Sequence, residues 1–207
     1  MVTPIVEQFG HDGVVTNAYT FRARSSYVFF GVVAFLLVFL LAEALFYETD
    51  NGARLSSIGW AGIMGLGAYL IFLRPKVVVY EEGITIVNPV TTVAIGWDEV
   101  EAIETQYSMS VQRDGKIIYA WAAPAPGRHH RRDVRESDLR GLPNSREGFI
   151  RPGDDPNSLS GSAAAIARRQ WEAFKNAPTH SAAYTKSVNL VAPLLLVLSA
   201  VLALTAN

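Results

Sequence analysis

Three long apolar runs, Tyr27–Tyr47, Ser57–Leu73 and Val188–Ala206, constrain this chain more than any other feature. A bilayer core about 30 Å thick is crossed by about 20 apolar residues in helical form. In lipid only a helix of this kind satisfies its own backbone groups. The block between the second and third runs is polar and strand-patterned. The layout therefore predicts an α+β membrane protein. Three transmembrane helices, a hairpin plus a C-terminal helix, would carry an inserted small antiparallel β-barrel capped by an α-helix.

The expected divisions follow. Residues 1–26 form an N-terminal cytoplasmic segment. Residues 27–73 form the hairpin, with spans at 27–47 and 57–73. Residues 74–178 form a cytoplasmic domain with a long loop at 124–157 and a helix at 160–176, and residues 187–206 form the third span. The first apolar run is followed by no small-residue cleavage site, which favours retained helices over a signal peptide.

Basic residues near the ends of spans favour the cytoplasm. Arg22 and Arg24 precede the first run, Arg74 and Lys76 follow the second, and Lys175 and Lys186 precede the third. These agree on an inner-membrane, multi-pass arrangement with the N-terminus and polar block inside and Asn207 outside. Tyr27, Tyr47, Trp60 and Tyr69 sit toward the run ends, as an aromatic belt does.

The second run is rich in small residues. Gly59, Gly62 and Gly65 form a candidate helix-packing face, since small residues let helices approach closely in lipid. Its occupant is either a helix of another subunit or this chain's own other helices. Glu43 lies inside the first run, where a carboxylate is a functional candidate by default. Its closeness to the outer end gives interfacial solvation as the simpler account.

Within the polar block, Lys76–Tyr80, Ile84–Val87 and Thr92–Ile95 read as short strands, and Asn88-Pro89 ends the second. Asp98–Glu104 alternates charged and apolar residues with period two. Tyr107–Gln112 and Lys116–Trp121 flank Arg113-Asp114-Gly115, a strong hairpin signal. Five strands are clear, and strands this short imply a small antiparallel sheet or barrel. Pro124–Asn157 is dominated by Pro, Gly, Arg and Asp and reads as a long loop. Helical periodicity then returns, capped by Ser160 or Ser162. Ala163, Ile166, Ala167, Trp171 and Phe174 lie on one face, and Arg168, Arg169, Glu172 and Lys175 on the other.

Two stretches carry a resemblance. Val77–Asn88, with its Glu82-Gly83 turn, and Val93–Ile103, with its Trp97-Asp98-Glu99-Val100 step, resemble the bacterial pleckstrin-homology-like (PH-like) domain. The resemblance is nearest to the actinobacterial, membrane-anchored branch of low-molecular-weight antigen type. Trp121-Ala122-Ala123-Pro124 and Pro126–His130 also look like that branch. The resemblance covers about residues 60–175. It implies a seven-stranded barrel closed by a C-terminal helix, and it supplies no catalytic residue. Trp97 is expected in the core.

The chemistry available is limited. The chain has no cysteine, which excludes disulfides, thiolate metal sites and a Cys nucleophile. Net charge is −1, so bulk attraction to nucleic acid is not expected. Fourteen arginines against four lysines read as a G+C-rich coding bias. Arg128, His129, His130, Arg131, Arg132 and Arg135 form a candidate loop for anionic headgroups or a protein partner. The clustered arginines argue against a metal there. Asp154 and Asp155 are expected to solvate the loop or cap the following helix. No nucleophile elbow, phosphate-cradling loop or zinc motif occurs. No enzyme activity, cofactor or metal is therefore expected.

The leading expectation is a scaffold or accessory subunit with membrane lipids and an integral-membrane protein as partners. The actinobacterial respiratory cytochrome supercomplex is a concrete candidate. An anionic-lipid sensing module is the alternative.

Overall fold

The computed structural model describes residues 5–11, 14–126, 152–155 and 157–206, with backbone alone for residues 5–17 and 152. In chain order the elements are β1 (Ile5–His11), β2 (Val14–Phe21), α1 (Arg24–Phe46), α2 (Asn51–Ala68), β3 (Lys76–Tyr80), β4 (Gly83–Val87) and β5 (Thr91–Gly96). There follow β6 (Ala102–Glu104), β7 (Ser108–Arg113), β8 (Lys116–Pro124), α3 (Leu159–Asn176), β9 (Thr185–Val188) and α4 (Val191–Thr205). The chain divides into two compact units. One comprises residues 24–75, 89–91 and 187–207, and the other comprises the remainder.

In the helical unit, α2 packs against both α1 and α4. Asp50 caps α2, its carboxylate accepting the Ala53 N–H at 2.7 Å. The helix starts at Asn51, so Arg54 belongs to its first turn. From there its Nε donates to Ala44 O (3.2 Å) and its Nη2 to Glu48 O (2.6 Å). It thus satisfies carbonyls that the end of α1 leaves open. A π-helical turn, Tyr69–Leu73, extends α2, with Arg74 N–H bonded to Tyr69 O at 2.9 Å.

α1 and the joined α2 segment Asn51–Leu73 are each long and apolar enough to cross a membrane. Much of the α1 side-chain surface is open, with Phe35 74% exposed. α4 is shorter than the expected 187–206 span, because Thr185–Val188 is extended as β9 and the helix starts only at Val191. Its 15 residues rise about 22 Å. Glu43 lies exposed in the last turn of α1.

The other unit holds two antiparallel sheets over one core. The first has the order β1-β2-β3-β4-β5-β9 and the second β6-β7-β8. The N-terminal segment, expected to be a simple cytoplasmic extension, supplies strands. β2 pairs with β3 in the register Phe21↔Val77, Thr20↔Val78 and Tyr19↔Val79. β2–β5 and β6–β8 then make the seven strands that the resemblance implies. Of these seven, sequence patterning missed β2, which the hairpin separates from its partner β3; β1 and β9 were missed as well.

Phe21 is 1% exposed and packs with Val77, Val79, Ile84, Ile86 and Trp97 in the core. Trp97 donates its indole N–H to Tyr80 O at 3.2 Å, so burial leaves no polar atom of the ring unpaired. The alternation in Asp98–Glu104 proves misleading. Trp97–Glu99 is a 3₁₀ turn and only Ala102–Glu104 is strand.

α3 lays Ala163, Ala164 and Ala167, all fully buried, against the sheets. Three methyl-sized residues let the helix axis come close, while Ile166, Trp171 and Phe174 cover the flanks. Its cap is Ser158 and not Ser160 or Ser162; the Ser158 Oγ accepts Gly161 N–H at 2.9 Å. Ser160 is buried instead and donates to Gly153 O.

Candidate functional site

The β7–β8 hairpin turns on Asp114 and Gly115, both at positive φ (48° and 67°). Two consecutive left-handed residues match the twist that a two-residue hairpin loop requires. Beyond the turn, β8 alternates. Ala120 and Ala122 face the core, while Ile117, Tyr119 and Trp121 stand outward at 51%, 49% and 58% exposure. Tyr107, in the β6–β7 turn, is 73% exposed. Among the residues of this unit whose side chains are described, these four are the large apolar ones that are exposed.

The outer edge of β8 is held by one side chain. Asn88 donates from Nδ2 to Tyr119 O (2.8 Å), and its Oδ1 accepts Trp121 N–H (2.9 Å). A carboxamide thus takes the place of a neighbouring strand and blunts an edge open to pairing. The second-sheet edge at β6 is closed similarly, by Arg168 donating from Nη2 to Ile103 O at 2.9 Å.

Asn88 also marks one end of the unit. The pairs Phe21↔Val77, Lys76↔Val87 and Val87↔Thr92 all lie there. Tyr119 and Trp121 are at that same end through Asn88. Tyr107 stands against the late part of β8, its carbonyl accepting Ala125 N–H at 3.0 Å. The exposed aromatics are therefore gathered toward the strand ends at which the chain leaves for α1 and returns from α2.

The opposite end is tied by charge. Arg113 donates from Nε to Glu99 at 2.6 Å, and its guanidinium stacks 3.7 Å from the Tyr184 ring centre. The hydrogen bond to Glu99 is the main cause that raises the Arg113 pKa, against a smaller lowering by desolvation. Ala182 N–H donates to Glu82 O at 2.9 Å, so the segment after α3 returns across this end.

Asp154 and Asp155 do not solvate a loop; both are buried. Asp154 accepts from Thr105 Oγ1 (2.7 Å) and from Arg168 Nη1 (3.2 Å). Asp155 accepts Asn157 N–H at 2.9 Å. Arg168, assigned by periodicity to the polar face, is instead half-buried in this latch. These carboxylates are engaged in fastening α3. Tyr80 is pushed above the ordinary phenol range, first by burial; a hydrogen bond with Thr85 opposes the shift and the Glu82 charge adds to it. Among the described residues no three His, Cys, Asp or Glu side chains converge as a metal site would require.

Gly59, Gly62 and Gly65 are on α2 and face this chain's own helices. A Cβ at Gly59 would strike the Ala203 backbone, and one at Gly62 the Ser199 hydroxyl, both on α4. One at Gly65 would lie 3.3 Å from Leu37 of α1. Ser56 Oγ donates to Ala203 O at 2.7 Å on the same face. The intramolecular occupant therefore fills this face. Arg128, His129, His130, Arg131, Arg132 and Arg135 lie outside the described residues, as does most of the 124–157 loop. The β8 row was not singled out from the sequence, although Ile117, Tyr119 and Trp121 at every second position carried its signal.

Residues 74–170 match the family of bacterial PH domains. No curated protein and no solved structure matches the chain. The match begins after α2, so it leaves out β2, the strand that lies before the hairpin.

Proposed function

We propose that this chain, whose residues 74–170 form a bacterial PH-like domain, is a non-enzymatic scaffold or accessory subunit held at the inner face of a membrane. In this reading α1, α2 and α4 all span, with the domain and N-terminus cytoplasmic. The retained basic residues Arg22, Arg24, Arg74, Lys76 and Lys186 support that orientation. The carrying observation is a PH-like domain on a chain that also holds two long apolar helices.

The partner is an integral-membrane protein, and the respiratory cytochrome assembly is the specific candidate. The test is purification of the tagged full-length chain in gentle detergent, with absorption spectra and mass spectrometry of the eluate. A co-migrating membrane protein is expected, with haem bands if the partner is a cytochrome. Migration only as a lone 22.6 kDa species overturns the reading.

A second reading rests on Arg128, Arg131, Arg132 and Arg135, a basic cluster suited to anionic headgroups. Reversing those four charges in the full chain should then lower its preference for phosphatidylserine over phosphatidylcholine; an unchanged preference removes this reading.

A further inference from the structure

Four exposed large apolar side chains lie on or beside β8, in a domain whose other large apolar residues with described side chains are at least partly covered. Ile117, Tyr119 and Trp121 form one outward row on β8, and Tyr107 stands in the turn beside its end. None carries a formal charge. Trp and Tyr pair an apolar ring with a polar tip, the combination that partitions to the boundary between hydrocarbon and water.

Where this row lies in the domain is set by strand pairing. Asn88 holds Tyr119 and Trp121, and Asn88 follows Val87, whose partners are Lys76 and Thr92. That is the end at which the chain passes between β2 and α1 and between α2 and β3. The connections are short. Two residues separate Phe21 from Arg24, and two separate Leu73 from Lys76. At about 3.5 Å per residue each tether reaches at most about 10 Å. The row is thus toward the end of the domain at which these two short connections leave it.

We infer that Tyr119 and Trp121, flanked by Tyr107, form a lipid-interface contact that seats the domain on the bilayer its own helices cross. The inference rests on the spanning helices of the proposed function. It needs no anionic headgroup, because the row is uncharged.

The chain has no cysteine, so single nitroxide labels can be placed without background. The full-length chain is reconstituted in nanodiscs of phosphatidylcholine alone. Labels are placed by Trp121→Cys, Tyr119→Cys, Lys116→Cys and Phe35→Cys, and each is read by its accessibility to oxygen and to a water-soluble nickel chelate. The expected result places positions 121 and 119 at interfacial depth, several-fold less accessible to nickel than position 116, with position 35 deepest. A water-accessible label at both 121 and 119, with position 35 deep, overturns the inference and leaves the row to a protein partner. Shielding that appears only when phosphatidylserine is added also overturns it, in favour of headgroup charge. A water-accessible position 35 overturns the spanning helices themselves, and the inference with them.

Discussion

Arg168 reaches Asp154 across the N-terminal half of α3, its Nη1 3.2 Å from the carboxylate Oδ1. The pair joins the turn before the helix to a residue in the helix middle, and Thr105 and Ile103 tie both to the second sheet. Asp154→Ala leaves Thr105 and Arg168 short of their acceptor. A loss of about 1–3 kcal/mol is expected, because one partner remains charged and partly buried. Thermal unfolding of the full chain in detergent measures it. Arg168→Ala should cost a similar amount, and the double variant less than the sum.

Gly59 admits the α4 backbone, so adding even a methyl group forces the two helices apart. Gly59→Ala is expected to lower the midpoint of thermal unfolding, at a cost of about 1–3 kcal/mol. Gly67→Ala is the control, since a Cβ there meets nothing within 4 Å. Equal effects from the two variants would contradict the tight α2–α4 approach.

Phe21 tests whether the N-terminal strand belongs to the domain core. Its ring is 1% exposed and pairs through β2 with Val77. Phe21→Ala should cost about 3–5 kcal/mol, the usual result of removing a buried aromatic ring. Proteolysis of the full chain should then cut within β3–β5 far faster than in the natural protein. Unchanged protection would mean that the family-matched residues hold together without β2.

Tyr80 gives a pH dependence with a defined sign. Its folded-state pKa is raised, chiefly by burial, above the usual phenol value of about 10. Between these two values the unfolded chain binds fewer protons than the folded one, so stability falls as pH rises. The contribution is fully present below about pH 10 and lost as pH climbs through the folded value. Tyr80→Phe should flatten this alkaline decline. Midpoints measured between pH 8 and pH 11 decide it, and parallel curves for both proteins would refute the assignment.

Local pattern made much of the domain legible. β3, β4, β5 and the β7–β8 hairpin follow from β-branched runs and from Asp114-Gly115. α3 follows from its 3.6 spacing, and Trp97 was expected in the core. What escaped is non-local. β2 pairs with Val77–Val79 from beyond an entire helical hairpin, and no local propensity records that pairing. β9 looked like the start of a span because Val188 adjoins the apolar run, yet its backbone is extended beside β5. Arg168 occupies a polar-face position by periodicity, but its length lets it turn inward to Asp154. The outward row at Ile117, Tyr119 and Trp121 had a visible period. Its exposure became apparent only once β8 proved to carry Asn88 on its outer edge.

The placement of β2 ahead of the hairpin has a consequence for synthesis. Phe21 leaves the ribosome 56 residues before Val77, an interval of about 3–11 s at ordinary translation rates. Until then β2 can pair with β1 alone, and its other edge lies open to chaperones or to wrong neighbours. Biogenesis of the domain is therefore gated by production of the helical pair, and any defect in delivering that pair would surface first as a domain that never closes.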